Sequence, residues 1–259
     1  MKMTVRELFR ILNERIPSTL SCDWDNDGLM CCPDGARKVK RVLIALDATD
    51  AVCEAAIEGG YDLILTHHPF IFKGLRAFED ENAIALKAMK LVRAGISVMS
   101  FHTRLDALAG GVNDALAAVL GLENVETFEG EGLPLGRVGE LPMPMPLCSF
   151  AAFVKEALGA PFVSFVDAGH EVKRVAVVGG SGDDFISVAR AIGADTYVSG
   201  EFGHHALTDE PDAVRGINLI EAGHFYTEQP VCKALSDMIA EIDSAIACDI
   251  ISSNPIKAI

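Results

Sequence analysis

The sequence predicts an α/β protein built from two related lobes with mainly parallel sheets. Short apolar runs alternate with segments of helical periodicity, as expected for parallel strands whose connecting helices cover both faces of a sheet. The alternation stops between residues 123 and 147 and then resumes, which indicates a boundary between lobes. One segment also recurs 133 residues later, since Val39-Lys40-Arg41-Val42 matches Val172-Lys173-Arg174-Val175.

The first half opens with an amphipathic helix over residues 4–15, which ends before Pro17 because proline cannot continue a helix. A turn-rich segment containing Trp24, the only tryptophan, follows it. We then predict strands at 42–46, 63–66 and 96–101, and helices at 50–58, 82–93 and 112–120.

The interruption is rich in residues that break regular structure, namely Pro134, Pro142, Pro144, Pro146, Gly130, Gly132, Gly136 and Gly139. This composition predicts a connection between lobes. Beyond it we predict helices at 149–158 and 185–191, strands at 162–166, 175–178, 196–199 and 217–220, and a long helix containing 230–239. We therefore place a first α/β lobe at residues 1–125 and a second at 126–259, with a C-terminal segment that could return to complete a site with the first lobe.

The repeat keeps its register across a strand, a helix and the next strand. The offset of 133 residues aligns three further pairs without gaps: Asp50 with Asp183, Gly60 with Gly193, and Asp62 with Asp195. Later, Gly95-Ile96 before one predicted strand resembles Gly216-Ile217 before another. A matching tetrapeptide can arise by chance, but a preserved register favours duplication of one unit.

The composition excludes several classes of protein. Half of the 259 residues are hydrophobic and 23% are charged, which excludes a disordered chain. Because 37 acidic residues oppose 22 basic ones, the net charge of −15 disfavours broad binding to nucleic acid or anionic membranes. No apolar run reaches the roughly 20 residues of a membrane span, and we expect no cleaved signal peptide.

The seven cysteines favour a cytoplasmic protein. Their number is odd and no C-x-x-C motif occurs, which is typical of reduced thiols in a cytosol. The adjacent pair Cys31-Cys32 could supply soft metal ligands, although ordinary loop thiols are the more frequent case.

Histidines follow several predicted strands, at the edge of a parallel sheet where sites form. The strongest element is Thr66-His67-His68-Pro69. Adjacent side chains of an extended segment point to opposite sides, so these two histidines would chelate one ion poorly but could serve two neighbouring ions. Two partly exposed loop histidines are the alternative. His204 and His205 could contribute to a ligand pocket or be ordinary loop residues.

Two other histidines each precede a carboxylate by four residues. The pairs are His102 with Asp106 and His224 with Glu228, each just after a predicted strand. On a helical turn, positions four apart share a face, so each pair could present a nitrogen and an oxygen ligand together. Such ligands suit Zn²⁺, Fe²⁺, Mn²⁺ or Co²⁺. One such spacing is common by chance, whereas two beside a His-His-Pro segment favour a metal site.

Other motifs carry less information. The glycine-rich segment 178–184 lies between a strand and a helix, where backbone N–H groups could hold phosphate, but Asp183-Asp184 within it favours helix capping. We likewise predict that Asp50 caps the helix at whose start it lies. The sequence contains no Walker A motif and no G-x-S-x-G motif.

Together these motifs resemble the NIF-three-like family of dinuclear-metal-centre hexameric proteins, often labelled type 2 GTP cyclohydrolase I homologues. The matching segments run from residue 23 to residue 228: Asp23-Trp24-Asp25-Asn26-Asp27-Gly28-Leu29, Leu46-Asp47-Ala48-Thr49, Asp62-Leu63-Ile64-Leu65-Thr66-His67-His68-Pro69, Phe101-His102-Thr103-Arg104-Leu105-Asp106, Gly110-Gly111-Val112-Asn113-Asp114, Ser199-Gly200-Glu201-Phe202-Gly203-His204-His205 and Gly223-His224-Phe225-Tyr226-Thr227-Glu228. Their combination is specific and covers most of the chain.

The resemblance implies a NIF-three-like fold with a dinuclear metal site at the junction of the lobes. The implied cofactors are two divalent metal ions per chain, of zinc, iron, manganese or cobalt. His67 and Asp106 would bind one ion, and His68 and His224 would bind the other. Glu228 would bridge the two ions.

The resemblance also implies catalytic candidates, partners and two departures. His102 falls at the family's histidine beside the site, as a supporting group or a proton donor, so His102 and Glu228 are the catalytic candidates. The family implies a homohexamer, described as a trimer of dimers, and a small-molecule or nucleotide substrate. Arg104 stands where the family usually has asparagine, and could favour an anionic substrate or pair with a surface carboxylate. Met30 replaces a frequent glutamine, which leaves a ligand contact from that loop unassigned.

The function expected from the resemblance is metal-dependent hydrolysis of a nucleotide-type substrate. Type 2 GTP cyclohydrolase I activity is the named candidate, and it would require water attack at C8 of guanine with a proton donor such as His102. The alternative is a non-catalytic metal-binding ring protein that acts as a regulator or an interaction scaffold.

Overall fold

The computed structural model describes residues 3–130, 132–208 and 216–257, and it divides into two compact units. The first unit consists of the described residues up to Leu105 together with Cys232–Pro255. The second consists of the described residues of Asp106–Val231 and those from Ile256 onward. Each unit contains one β-sheet. The α/β class with two lobes is therefore confirmed.

The elements alternate along the chain. The helices are α1 (Val5–Arg15), α2 (Asp50–Glu58), α3 (Ala83–Ala94), α4 (Thr103–Ala107), α5 (Val112–Val119), α6 (Leu147–Leu158), α7 (Ile186–Ala191), α8 (His204–Thr208), α9 (His224–Glu228) and α10 (Val231–Ile242). The strands are β1 (Gly28–Cys31), β2 (Arg41–Ala45), β3 (Leu63–Thr66), β4 (Ser97–Ser100), β5 (Glu123–Gly130), β6 (Leu133–Met145), β7 (Ser164–Val166), β8 (Val172–Ser181), β9 (Thr196–Glu201), β10 (Asn218–Glu221) and β11 (Ala247–Ile250). Short 3₁₀ turns occupy Ser18–Leu20 and Asp183–Phe185.

The sheet of the first unit has the strand order β1-β4-β3-β2-β11. Strands β11, β2, β3 and β4 are parallel, whereas β1 runs antiparallel to β4. Every residue of β3 is buried, as are four of the five residues of β2. Residues of one face, including Leu43, Ile64 and Val98, share an apolar cluster with Val52 of α2 and Leu91 of α3. Burying each such side chain stabilises the unit by roughly 1.5–3 kcal/mol.

Local capping groups fix where the first helices start. The Thr4 side chain accepts a hydrogen bond from the Glu7 N–H while Glu7 reaches back to the Thr4 N–H, a complete capping box at α1. Thr49 caps α2 by accepting from the Val52 N–H, so the prediction that Asp50 is this cap was wrong by one residue. Either residue type can cap a helix, and only the backbone angles of the turn decide which one does.

The sheet of the second unit has the strand order β5-β6-β8-β9-β10-β7. Strands β8, β9 and β10 are parallel, and antiparallel pairings add β6 and β5 at one edge and β7 at the other. The parallel centre contributes Val175, Val177 and Val198 to an apolar cluster that also includes Leu116 of α5 and Phe150 of α6.

The region predicted as a connection between lobes is instead a pair of antiparallel strands, β5 and β6. The sequence-based prediction was wrong here because it read the prolines as breaks in regular structure. Pro142 and Pro144 lie in the part of β6 between Glu140 and Met145, where the ladder with β8 is irregular. Proline lacks an N–H and is tolerated in a sheet at such positions.

The compact units do not divide the chain at the boundary drawn from the sequence. The predicted boundary after residue 125 falls inside β5, whereas the units divide after Leu105. Residues Cys232–Pro255 group with the first unit, because β11 adds to its sheet beside β2.

The two units repeat the same strand pairing. Val42 lies opposite Leu63 in the first sheet, and Val175 lies opposite Thr196 in the second, with corresponding residues 133 positions apart. Gly60 and Gly193, also 133 apart, both have positive φ angles, of 63° and 81°. Identical register and the same left-handed turn support duplication more strongly than the tetrapeptide alone does.

A pair of equivalent aspartates binds the start of the equivalent strand in each unit, β2 in the first and β8 in the second. Asp62 Oδ2 accepts hydrogen bonds from the N–H groups of Lys40 (2.8 Å) and Arg41 (3.1 Å). In the second unit, Asp195 accepts from the corresponding N–H groups of Lys173 and Arg174, at 3.0 and 2.7 Å to Oδ2. In both units, the second and third residues of the recurring tetrapeptide donate hydrogen bonds to an equivalent aspartate.

Two further observations bear on the sequence analysis. All seven cysteines are free thiols, in agreement with the expected absence of a disulfide scaffold. Among the described residues, no helix has the length and apolar character that crossing a bilayer requires.

Candidate metal centre

The first unit brings three histidines together at the carboxyl ends of β3 and β4. We call His67, His68 and His102 the histidine cluster. One ring nitrogen from each lies within 4.8 Å of those of the other two. The ring centroids are 4.9 Å apart for His67 and His68, 5.2 Å for His67 and His102, and 5.7 Å for His68 and His102. The cluster includes His102, which the resemblance places beside the ligands.

His67 is fully buried at the end of β3. Its Nδ1 lies 3.1 Å from the carbonyl oxygen of Phe101. A carbonyl oxygen can only accept, so Nδ1 carries the proton and the lone pair of the neutral ring resides on Nε2. A backbone hydrogen bond of this kind is the usual way in which a metal-binding histidine is oriented.

His68 and His102 are oriented by carboxylates. His68 Nδ1 lies 2.8 Å from Asp47 Oδ1, and His102 Nδ1 lies 2.9 Å from Asp25 Oδ1. Each carboxylate accepts the Nδ1 proton, which again directs the lone pair of the neutral ring to Nε2. All three rings therefore have the tautomer and the outer hydrogen bond that are typical of histidine ligands to transition metals.

Asp25 is held more firmly than the other oxygen partners. Its side chain is fully buried and also accepts from the N–H of Thr103 (3.1 Å) and the hydroxyl of Thr103 (2.7 Å). Burial raises the pKa of Asp25, but the hydrogen bonds from His102 and Thr103 outweigh it and bring that pKa well below the usual range. Asp25 is therefore a permanent carboxylate behind His102 at neutral pH.

The second unit carries the remaining predicted ligands. His224 and Glu228 lie on α9, and His224 Nε2 is 3.2 Å from Glu228 Oε2. This confirms that the spacing of four residues places them on one helical face. Glu228 is 4% exposed, and its carboxylate and that of Asp106 offer oxygens within 4.8 Å of each other. His102 and Asp106 do not share a helix in this way, because α4 begins at Thr103, after His102.

Both ring nitrogens of His224 face carboxylate oxygens. Nδ1 lies 3.1 Å from Glu201 Oε1, at the end of β9, while Nε2 faces Glu228. A neutral ring that donates from Nδ1 directs its Nε2 lone pair toward the Glu228 carboxylate. A cation shared by these two groups would stabilise that arrangement.

Gly180 is a site residue that the sequence analysis missed. Its φ angle is +71°, and a Cβ atom at this position would meet the Glu228 carboxylate and lie 3.1 Å from His224 Nε2. Glycine is therefore required both by the backbone conformation and by the space beside these two candidate ligands. The segment 178–184 had been assigned to helix capping, which was wrong, since Asp183 accepts from the Gly203 N–H and caps no helix.

Arg104 pairs with a buried carboxylate and not with a surface one. It is 2% exposed, and its guanidinium forms an ion pair with Asp27 at 2.8 Å. It also donates to Asn13 and to the carbonyl of Ile16, and it lies over the ring of Phe101 at 4.7 Å. The pairing with a surface carboxylate was a wrong prediction, because the partner carboxylate is itself buried. The alternative of an anionic substrate stays a prediction.

The other candidate residues lie apart from these groups. His204 and His205 occupy the short helix α8, where they are exposed and pack ring against ring at 5.7 Å. Met30 lies in β1, and Cys31 and Cys32 belong to none of the clusters of potential metal ligands among the described residues.

A cavity of about 220 Å³ opens beside His68 within the first unit. Asp47, Thr49 and Lys87 line it, and the Lys87 ammonium donates to the carbonyl oxygen of Ala48 at 2.8 Å. The cavity therefore places acidic, hydroxyl and ammonium groups next to a histidine of the cluster, with room for a small polar molecule.

Comparison with known proteins assigns the chain to a family. The family described as Duf34/NIF3 (NGG1p interacting factor 3) matches residues 3–257, and the chain therefore belongs to that family. A protein of Clostridium perfringens named GTP cyclohydrolase 1 type 2 homolog is 31% identical over 250 residues, covering 94% of each chain. A Nostoc protein of the same name is 35% identical over 228 residues, covering 86% of this chain and 84% of that one.

The fold is shared with solved structures. A crystal structure of a Staphylococcus aureus hypothetical protein superposes with a TM-score of 0.89 and 30% identity, over the full length of both chains. The resemblance stated from the motifs is thereby confirmed, as is the NIF-three-like fold.

The buried ion pair yields a stability prediction. Arg104→Gln leaves the Asp27 carboxylate buried without its countercharge, and we expect the free energy of unfolding to fall by about 3–5 kcal/mol. The matched control is Arg10→Gln, which breaks an exposed pair with Glu14 and is expected to cost less than about 0.5 kcal/mol. Urea denaturation measures both. An Arg104 variant as stable as the Arg10 variant would contradict the structural role.

Proposed function

We propose that this protein is a divalent-metal-dependent hydrolase that acts on a nucleotide-type substrate, with type 2 GTP cyclohydrolase I activity as the named candidate. The observation that carries the proposal is the histidine cluster, in which three rings converge and each is oriented through Nδ1 by an oxygen acceptor. The names of the Clostridium and Nostoc relatives support the choice of GTP as the first substrate to test.

The proposed cofactors are two divalent ions per chain, of zinc, iron, manganese or cobalt. Following the resemblance, His67 and Asp106 would hold one ion, His68 and His224 would hold the other, and Glu228 would contribute its carboxylate to both. The residues fit such ions chemically, because each unit offers imidazole or carboxylate ligands already oriented by hydrogen bonds. Structural zinc sites are typically closed and rich in cysteine, so ligands of this kind favour chemistry instead.

In this proposal, His67 and His68 bind metal and His102 transfers a proton. When bound, divalent ions of this kind supply Lewis acidity and lower the pKa of water. Hydrogen bonds from Nδ1 to the Phe101 carbonyl and to Asp47 orient the rings of His67 and His68 as metal ligands. His102, whose Nδ1 proton is held by the permanently charged Asp25, can accept or deliver a proton at Nε2. The cavity beside His68 gives the substrate a place to bind.

We also propose that the protein is a cytoplasmic homohexamer, a trimer of dimers as the resemblance implies, with no nucleic-acid or membrane partner. The free cysteines favour a reducing compartment, and the charge of −15 disfavours anionic polymers and lipids. Multi-angle light scattering at micromolar concentration is expected to give the mass of six chains. A monomer under those conditions would overturn the assembly proposal.

Metal content provides the first functional prediction. Protein purified without chelator is expected to carry about two transition-metal ions per chain, measured by elemental analysis. His68→Ala and Glu228→Gln should each lower this content, because each removes a proposed ligand. Asp47→Ala should weaken metal affinity by roughly 10–100-fold, because it releases the His68 ring from its orienting carboxylate.

The matched control for metal content is His170→Ala, which removes an exposed histidine of the second unit that lies outside every cluster of potential ligands found. This variant should keep the wild-type metal content. Full metal occupancy in the Glu228→Gln protein would contradict the bridging role.

Turnover provides the second functional prediction. Metal-loaded protein is assayed on GTP, other nucleotides and phosphate esters, with GTP expected to be the preferred substrate. His102→Ala should retain both ions but lower the rate by roughly 10²–10⁴-fold, because it removes the proton carrier. His204→Ala, on exposed α8, is the matched control and should leave the rate unchanged.

Two outcomes would revise the proposal. Loss of metal from the His102→Ala protein would make His102 a ligand, as its place in the histidine cluster allows. Absence of turnover on the whole panel, with metal and assembly retained, would favour a non-catalytic metal-binding protein that acts as a regulator or scaffold.

A further inference from the structure

Three aromatic rings meet at the outer side of the histidine cluster. We call Trp24, Phe72 and His102 the aromatic corner. The ring centroids are 6.2 Å apart for Trp24 and Phe72, 6.1 Å for Trp24 and His102, and 6.2 Å for Phe72 and His102. Each pair is close to perpendicular, with interplanar angles of 77°, 73° and 87°.

The two apolar members of the corner are exposed although they adjoin a candidate catalytic residue. Trp24, the only tryptophan of the chain, is 56% exposed and Phe72 is 44% exposed. Exposing two large rings side by side leaves apolar area in water, and such patches commonly mark binding sites. The patch consists of two side chains, whereas a stable protein interface needs about 20–30 residues on each side.

The corner is held in place by polar contacts beneath it. Asp25, next to Trp24, is buried and accepts hydrogen bonds from His102 and Thr103. Asn26 Nδ2 donates to the carbonyl of Ile71, beside Phe72, at 2.5 Å. The two loops that carry the exposed rings are therefore tied to each other and to the histidine cluster. A surface organised in this way loses little conformational entropy when a ligand binds.

We propose that the aromatic corner binds the planar heteroaromatic ring of the substrate by stacking it on the indole of Trp24. This inference rests on the proposed function in one respect, namely that the bound ring belongs to the molecule that is hydrolysed. A ring parallel to the indole would be nearly perpendicular to Phe72 and to His102, and edge-to-face contact with both is a favoured geometry. Stacking on the indole would also place the substrate ring close to His102, the proposed proton carrier.

The single tryptophan makes the test direct, because all indole fluorescence of the chain comes from Trp24. Metal-loaded wild-type protein is titrated with GTP, with guanosine and with inorganic tripolyphosphate. Stacking on the indole should make GTP and guanosine quench the emission in a saturable way. Tripolyphosphate, which has no ring, should leave the emission unchanged.

Variants then separate stacking from other effects. In equilibrium dialysis with labelled guanosine, Trp24→Leu should weaken binding by roughly 10-fold or more, and Phe72→Leu should weaken it by a smaller factor. Trp24→Phe retains an aromatic face and should keep the affinity within about 3-fold of wild type. Phe162→Leu, which removes an exposed phenylalanine of the second unit, is the matched control and should bind as wild type does.

The outcomes distinguish this proposal from the hydrolase proposal. Guanosine affinity unchanged in Trp24→Leu, or no quenching by either ring compound while metal content is intact, would overturn the ring site. A changed assembly mass in Trp24→Leu with unchanged guanosine affinity would assign the patch to contacts between chains and would also overturn it. Saturable quenching that Phe72→Leu weakens, in a protein that hydrolyses nothing on the panel, would support the ring site and reject the hydrolase.

Discussion

The candidate site depends on one repeated interaction, a hydrogen bond from Nδ1 of each clustered histidine to a fixed oxygen. The oxygens belong to the Phe101 carbonyl for His67, to Asp47 for His68 and to Asp25 for His102. Each bond fixes both the rotation of a ring and the nitrogen that keeps its lone pair. Without these bonds, three rings whose centroids lie within about 6 Å would have no common orientation toward a ligand.

One of those oxygen acceptors, the Asp25 carboxylate, belongs to a segment that buries charged side chains. The segment around Trp24 places Asp25 behind His102 and Asp27 against Arg104, with the Asp25 side chain fully buried and that of Asp27 6% exposed. Burying ions is costly, and an apolar arrangement of similar volume would often be as stable. The buried charges fix the positions of neighbouring side chains, because a carboxylate that accepts several hydrogen bonds is held in one position. The segment between α1 and β1 thus acts as a scaffold for the end of β4.

The two units use one strand–helix–strand pattern to carry two sets of candidate ligands. The register of the central strands is the same in both units, and so are the aspartates, Asp62 and Asp195, that bind the starts of β2 and β8. The residues that follow the strands differ. His68 follows β3, whereas Glu201, 133 residues later, ends β9 and contacts His224. The strands that form the sheet are therefore alike in the two units, whereas the polar residues at their carboxyl ends, where sites usually lie, differ.

The sequence by itself determined the α/β class, most of the central strands, the duplication and the candidate ligands, because these follow from periodicity, local spacing and motif. Helix α2 and strand β3 have the predicted bounds, since a capped helix and a short, fully buried strand are set by nearby residues. Only the tertiary structure decided the pairing of β5 with β6, the return of Cys232–Pro255, the burial of Arg104 and the close approach of Gly180 to Glu228. The β5–β6 pairing joins neighbouring segments whose prolines and glycines read as breaks in regular structure, whereas each of the other three joins residues distant in the chain. Those contacts depend on how strands pair and which side chains lose water, which no local pattern records.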